Sequence, residues 1–223
     1  MKYALITGAN RGIGLALTQQ LTEKGVHVFA LCRHASVELK ALSHITIIDG
    51  VDLKDKGAIE SAKDKITHPL DLMINNAGIL SRVALPVLDD RSMESILEQF
   101  KINALGPLLL TSIYSPLLKK GSKVALITSR MGSIADNGSG SHYGYRMSKA
   151  ALNAAGKSLA IDLKPKGISV AILHPGWIQT DMTGHTGNDN PQTSAQQLLE
   201  RIDDLCLDNT GTFWHANGEI LPW

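Results

Sequence analysis

Short runs of β-branched and aliphatic residues alternate along this chain with longer stretches whose apolar positions recur every three or four residues. Residues 3–7, 26–32, 45–49, 70–75, 123–128 and 168–173 are apolar on both alternating faces, as a strand must be when its sheet is covered on both sides. The stretches 12–24, 55–66, 91–119 and 143–164 have helical period, as in Leu152, Ala155, Leu159 and Leu163. Gly25, Gly121 and Gly167 fall just past helix ends, where a left-handed residue closes the last turn. A last short strand is expected at Gly218-Glu219-Ile220-Leu221. This alternation predicts an α/β fold spanning residues 1–223 as one domain. Its sheet would be parallel and doubly wound, of about seven strands, with helices on both faces and right-handed crossovers. No linker or repeat divides the chain. Thr183 to Thr193, rich in Gly, Asn, Thr and Asp, reads as a mobile loop, part of a lid spanning about 182–199.

Composition narrows the function classes. The 223 residues are 43% hydrophobic and 19% charged, with a formal net charge of +1, so no global field points to nucleic acid or an anionic membrane. Cys32 and Cys206 are too few for a disulfide framework and do not have metal-ligand spacing, so no metal site is expected. The apolar start is too short for a signal peptide, and the stretch from Ala104 to Leu118 is broken by Gly106, Pro107 and Pro116. No membrane partner is expected, and the expected location is cytoplasmic.

The first strand runs into Thr7-Gly8-Ala9-Asn10-Arg11-Gly12-Ile13-Gly14 and then a helix. Close approach to a pyrophosphate needs positions without side chains, and a helix N-terminus offers unpaired N–H groups and partial positive charge. Any strand-to-helix turn can be rich in glycine; the strand before, the helix after and the N-terminal position strengthen the cofactor reading.

Further on, Tyr145 and Lys149 lie four apart at the start of a predicted helix, on one face. A phenol is a reluctant acid/base at neutral pH. An ammonium about 5 Å away would favour the phenolate by about 3 kcal/mol, roughly two pK units, at an effective dielectric of about 20. Such pairs also arise by chance, as a packed ring beside a solvated amine. Tyr143 has only Met147 four residues on, which cannot tune it. Ser129 closes the fifth predicted strand, where a hydroxyl can stabilise charge on a substrate oxygen; Ser133 competes for that role.

In order along the chain, the T-G-x-x-x-G-x-G turn, Asp52-Leu53, Asn75-Asn76-Ala77-Gly78, Asn103, Ser129, Tyr145, Lys149 and Pro175-Gly176 with Thr180 resemble the short-chain dehydrogenase/reductase family. The tail from Gly211 to Trp223 is most similar to its C-factor-type subgroup, close to carbonyl reductases. The 16 residues between Ser129 and Tyr145 exceed the family's usual gap, and Asn137 to Ser141 looks like the extension that absorbs them. The resemblance implies a Rossmann fold and hydride transfer between a nicotinamide and a small carbonyl or alcohol substrate. It implies Tyr145 as proton donor, Lys149 as its tuner and ribose ligand, and Ser129 as the group that orients the carbonyl. Asn103 would anchor a relay water. Gly8, Asn10, Arg11, Gly12, Ile13 and Gly14 would hold the dinucleotide. Asp52 and Leu53 would lie beside the adenine, Asn76, Ala77 and Gly78 along its ribose, and Pro175, Gly176, Ile178 and Thr180 beside the nicotinamide. It further implies a homodimer or homotetramer formed through the helices of 91–119 and 143–164.

The second predicted strand ends in Cys32-Arg33, with no acid for a ribose 2′-hydroxyl. Arg33 and Arg11 could both face a 2′-phosphate, each bond contributing roughly 1.5–3 kcal/mol. The expected cofactor is therefore NADP(H), with NAD(H) as second choice. A nicotinamide-binding signalling or regulatory protein with little turnover is the alternative. Epimerase or dehydratase chemistry on a sugar nucleotide is a third, for which the segment after Thr180 leaves little room. Trp177 either walls the pocket or joins the core. His174 reads as a packing or hydrogen-bonding residue rather than a ligand.

Overall fold

The computed structural model describes residues 1–85 and 88–223. Seven parallel strands form one sheet in the order β3-β2-β1-β4-β5-β6-β7. They are β1 (Tyr3–Thr7), β2 (His27–Leu31), β3 (Ile45–Ile48), β4 (Leu70–Asn75), β5 (Leu118–Ile127), β6 (Ser169–His174) and β7 (Phe213–His215). The helices are α1 (Gly12–Glu23), α2 (Val37–Lys40), α3 (Lys56–Lys63), α4 (Asp90–Phe100), α5 (Gly106–Tyr114), α6 (Tyr143–Leu163) and α7 (Pro191–Asp203).

The period of two along each strand divides the core into two layers. Ala4, Ile6, Val28, Ala30, Leu72 and Ile74 face a layer that includes Leu17 and Leu21 of α1 and Leu198 and Ile202 of α7. Leu5, Phe29, Leu31, Met73, Val124 and Leu126 face the layer built with Ile59, Leu110, Tyr114 and Leu152. Both faces of the sheet are thus dry, which is why its strands read as unbroken apolar runs. The chain places β2 and β3 on one side of β1 and then returns to set β4 on the other. This reversal leaves a crevice beyond the carboxyl ends of β1 and β4.

Four expectations need correction. The helix read over 91–119 is two helices, α4 and α5, joined by a five-residue π-helical stretch, Lys101–Leu105, and followed by a short turn, Ser115–Leu117. Pro107 is the cause: it has no N–H to give the Asn103 carbonyl and its ring would strike that oxygen, so the chain widens and Gly106 N–H closes on the Lys101 carbonyl instead. The last strand is Phe213–His215, not 218–221; Gly218, at φ +97, turns the chain so that Ile220 only bridges back to Trp214.

The segment 183–193 is no open loop. Asn188 N–H donates to the Trp177 carbonyl at 2.7 Å and Gln179 N–H to the Asp189 carbonyl at 2.9 Å, folding 182–190 onto 177–179. Residues 191–199 belong to α7, which packs on α1, so they are not lid. That helix was legible: Asn190 caps it by accepting from Thr193 N–H at 2.8 Å and Pro191 takes the first position. Its buried residues, Ala195, Leu198, Leu199 and Ile202, keep helical spacing. No helix among the described residues is long and apolar enough to cross a membrane.

Candidate active site

The turn after β1 is shaped by exclusion of side chains. Gly8 and Gly12 sit at φ +66 and +53, in the left-handed region that favours glycine. A Cβ on Gly14 would collide with the Gly8 carbonyl and lie 2.5 Å from Asn76 Nδ2. Asn76 fastens this turn to β4: its Nδ2 donates to the Thr7 carbonyl at 3.0 Å, and Thr7 Oγ1 accepts from the main-chain N–H of Asn76 and Ala77. The Asn76 Nδ2 and the main-chain N–H groups of Asn76 and Ala77 are therefore occupied within the turn, which leaves the main-chain carbonyls of 76–78 for any contact to a ribose. Arg11 precedes α1 without a side-chain cap and no acid stands in the first turn, so the leading N–H groups remain open to an anion. Thr180 closes over the turn, its methyl 3.3 Å from where a Gly12 Cβ would be.

Arg11 itself turns away from the end of β2. Its Nη1 donates to Asp181 Oδ2 at 2.8 Å, and His185 Nε2 holds the other oxygen at 3.1 Å. Arg33 is exposed and has no carboxylate partner among the described residues. Of the two arginines expected at a 2′-phosphate, Arg33 is the one left unpaired. Asp52 accepts from Lys54 N–H at 2.9 Å, and Leu53 is buried against Gly106.

At the end of β5, Ser129 caps a short turn, Arg130–Gly132, accepting from Met131 N–H at 3.1 Å. Gly132 lies directly against the main chain of Lys149, where a Cβ would be 2.7 Å from its carbonyl carbon. This glycine lets the turn sit on α6 and so fixes Ser129 beside Tyr145. Ser133 accepts from Asp136 N–H at 3.1 Å and is buried, a loop cap rather than a rival to Ser129. Ser129, Tyr145, Ile13, Trp177, Ile178 and Met182 are among the residues lining one cavity of about 400 Å³. Trp177 is half-exposed on its wall rather than in the core.

Tyr145 and Lys149 share a face of α6, as their spacing predicts. Lys149 Nζ lies 5.8 Å from the Tyr145 ring centroid and donates to the Ile127 carbonyl at 2.8 Å. The electrostatics differ from the expectation. Burial pushes the phenol up to about 12, and a hydrogen bond with Ser129 opposes it only in part. Burial also drops the Lys149 ammonium to about 7, so the lysine is itself only partly charged at neutral pH and cannot outweigh desolvation. In the protein alone, Tyr145 is a firmly protonated phenol.

Asn103 lies in the π-helical stretch and is fully buried. Its Oδ1 accepts from Ile79 N–H at 2.8 Å, and its Nδ2 donates to the Ile79 carbonyl at 2.9 Å and to Ser148 Oγ at 3.0 Å. These bonds tie the segment after β4 to α6 one residue before Lys149. Sequence reading set His174 aside, yet it lines the same cavity as Ser129 and Tyr145. Its place at the end of β6, beside the Pro175-Gly176 pair, was the available signal.

Comparisons with known proteins agree with this fold. The family model described as short chain dehydrogenase matches residues 2–191. C-signal of Myxococcus xanthus is 43% identical over 164 residues, which cover 73% of this chain and 98% of that protein. The carbonyl reductase Sniffer of D. melanogaster superposes over the full length of both chains with a TM-score of 0.92 at 32% identity. An NADPH-bound carbonyl reductase from chicken fatty liver gives 0.89 at 28% identity, covering 100% of this chain and 99% of that one.

Proposed function

This chain belongs to the short-chain dehydrogenase family, and from that premise we propose that it is an NADP(H)-linked reductase of small carbonyl compounds with Tyr145 as the proton donor. The observation that carries the reading is the joint placement of Ser129 and Tyr145 on one wall of a 400 Å³ cavity, with Lys149 behind them.

The residues present suit the cofactor. A turn closed to side chains at Gly14 and an α1 N-terminus with open N–H groups fit a pyrophosphate. Arg33, unpaired at the end of a strand that lacks an acid, fits a 2′-phosphate. When bound, the reduced nicotinamide supplies the hydride for the carbonyl carbon. Ser129 and Tyr145 hold the carbonyl oxygen, and Tyr145 gives up its proton as negative charge grows there. A phenol raised to about 12 is fully protonated at neutral pH, the form that reduction requires. The phenolate that this leaves favours the ammonium form of Lys149, which then holds positive charge beside it. Asn103 acts as a positioning residue by anchoring Ile79 and Ser148 around the lysine. The segment 182–190 is the remaining candidate for a lid, with Met182 on the cavity wall.

The test is NADPH oxidation with a panel of aldehydes and ketones. Tyr145→Phe is expected to lower kcat/KM by roughly 10²–10⁴-fold, the range for removal of a general acid, while NADPH still binds. Unaltered turnover in that variant would contradict the reading. A purely cofactor-binding protein would show no turnover to lose.

A further inference from the structure

His174 ends β6 and stands opposite His215 of β7 in the parallel register, on the sheet face that α6 covers. The two rings meet edge to face, 4.9 Å apart at 84°. The His174 Nδ1 is buried and has no hydrogen-bond partner. Buried polar atoms are nearly always paired, and burial closes Nδ1 to a ligand atom as well, so contact with a substrate falls to the rest of the ring, which lines the same cavity as Ser129 and Tyr145. The ring is held neutral: burial pushes His174 down to about 3, and the neighbouring His215, Arg130 and Lys149 add to the shift. A neutral imidazole offers one N–H and one lone pair.

The position is specific. Thr128 N–H donates to the Leu173 carbonyl at 2.8 Å, so His174 lies on the strand next to the one that delivers Ser129. Adjacent strands are about 4.8 Å apart. The imidazole therefore projects from the strand beside the one that leads to Ser129, into the cavity that Ser129 and Tyr145 also line. Resting on the reductase reading above, we propose that His174 is a substrate-positioning residue that hydrogen-bonds a second oxygen of the substrate, one or two carbons from the reacting carbonyl. The preferred substrates are then carbonyl compounds with a neighbouring oxygen, such as vicinal dicarbonyls, rather than simple hydrocarbon ketones.

A matched pair of probes tests this: 1-phenyl-1,2-propanedione and propiophenone, reduced by the full-length protein with NADPH. The diketone is intrinsically more reactive, so the readout is the change in the kcat/KM ratio between wild type and variant, in which that reactivity cancels. His174→Leu is expected to lower the diketone-to-ketone ratio about tenfold, with most of the change in KM for the diketone. His174→Asn, which keeps a side-chain N–H, is expected to recover part of the ratio, and it carries the test if the leucine variant does not fold. A ratio within twofold of wild type in the folded variants, whether or not both activities fall, overturns the proposal. Wild-type turnover that is absent, or that survives Tyr145→Phe unchanged, overturns the reductase reading and this inference with it.

Discussion

The crevice has two walls, and they are held in shape by different means. On the β1–β4 side, the glycine turn is defined by what it excludes, since a side chain at Gly14 has no space and Gly8 and Gly12 need left-handed backbone. On the β6 side, residues 177–190 are held chiefly by hydrogen bonds to one another, from the main chain, such as Asn188 to Trp177 and Gln179 to Asp189, and from side chains, such as Trp177 Nε1 to the Thr186 carbonyl and Gln179 Nε2 to the Gly187 carbonyl. The first wall constrains residue type strongly, as the pyrophosphate site proposed there requires. The second has one position equally closed to a side chain, Gly187, where a Cβ would collide with the Ile178 carbonyl carbon, and it is the wall on which Trp177, Met182 and His174 line the cavity. The division is between a wall shaped by steric exclusion and a wall shaped mainly by hydrogen bonds. Among the described residues, one exposed ion pair, Arg11 to Asp181, bridges the two walls.

The contrast can be broken most severely at Gly14. Gly14→Ala forces atoms into the Gly8 carbonyl. The strain of an overpacked site, about 1–3 kcal/mol, is expected to lower Tm by roughly 3–10 °C. The rise in Tm that NADPH gives the wild type should disappear as well, which differential scanning fluorimetry reads directly. Retained stabilisation by NADPH would mean that the pyrophosphate sits elsewhere.

Arg33→Asp sharpens the contrast within the cofactor wall, because it leaves the turn intact and changes only the end of β2. Losing one charge-assisted bond worth roughly 1.5–3 kcal/mol should reduce the NADPH-to-NADH ratio of kcat/KM by about 10- to 100-fold. Steady-state rates with both cofactors measure it, and an unchanged ratio removes Arg33 from the 2′-phosphate site. The smallest effect is expected from Asp181→Asn, which frees Arg11 from the opposite wall. An exposed pair is worth about 0.2–1 kcal/mol, so NADPH affinity should rise by no more than about fivefold, and less at high salt. Weaker binding would show that Arg11 serves the cofactor from where the pair holds it.

The same division explains what the sequence made legible. Strands β1 and β4 were read to the residue, because a sheet buried on both faces demands apolar runs and the flanking turns end them sharply. Tyr145, Lys149 and Ser129 were readable from helix spacing and strand ends. The π-helical stretch around Asn103 was missed because apolar period was weighed above Pro107, whose missing N–H makes a straight helix impossible there. Helix α7 was missed because the polar residues before Asn190 drew attention from a cap and proline that announce it. The main-chain bonds within 177–190 had no signature in side-chain type, and the Trp177, Gln179 and Thr183 side chains that join them bond main-chain carbonyls, which are common to every sequence. Nor could spacing reveal that burial acts on Lys149 as strongly as on Tyr145. That balance depends on the depth of both groups, which only the packed structure supplies.

In the proposed reaction a deeply buried phenol, protonated in the free protein, becomes a working acid/base when a charged nicotinamide lies beside it. Titration of ring-labelled tyrosine by NMR, with Tyr145→Phe to assign the signal, measures that phenol directly with and without NADP⁺. The account predicts a value near 12 in the free protein and a fall of one or more pK units on binding, from an added positive charge at close range. By linkage, NADP⁺ should bind more tightly as pH rises toward that value. A Tyr145 signal whose titration NADP⁺ leaves unmoved would contradict it.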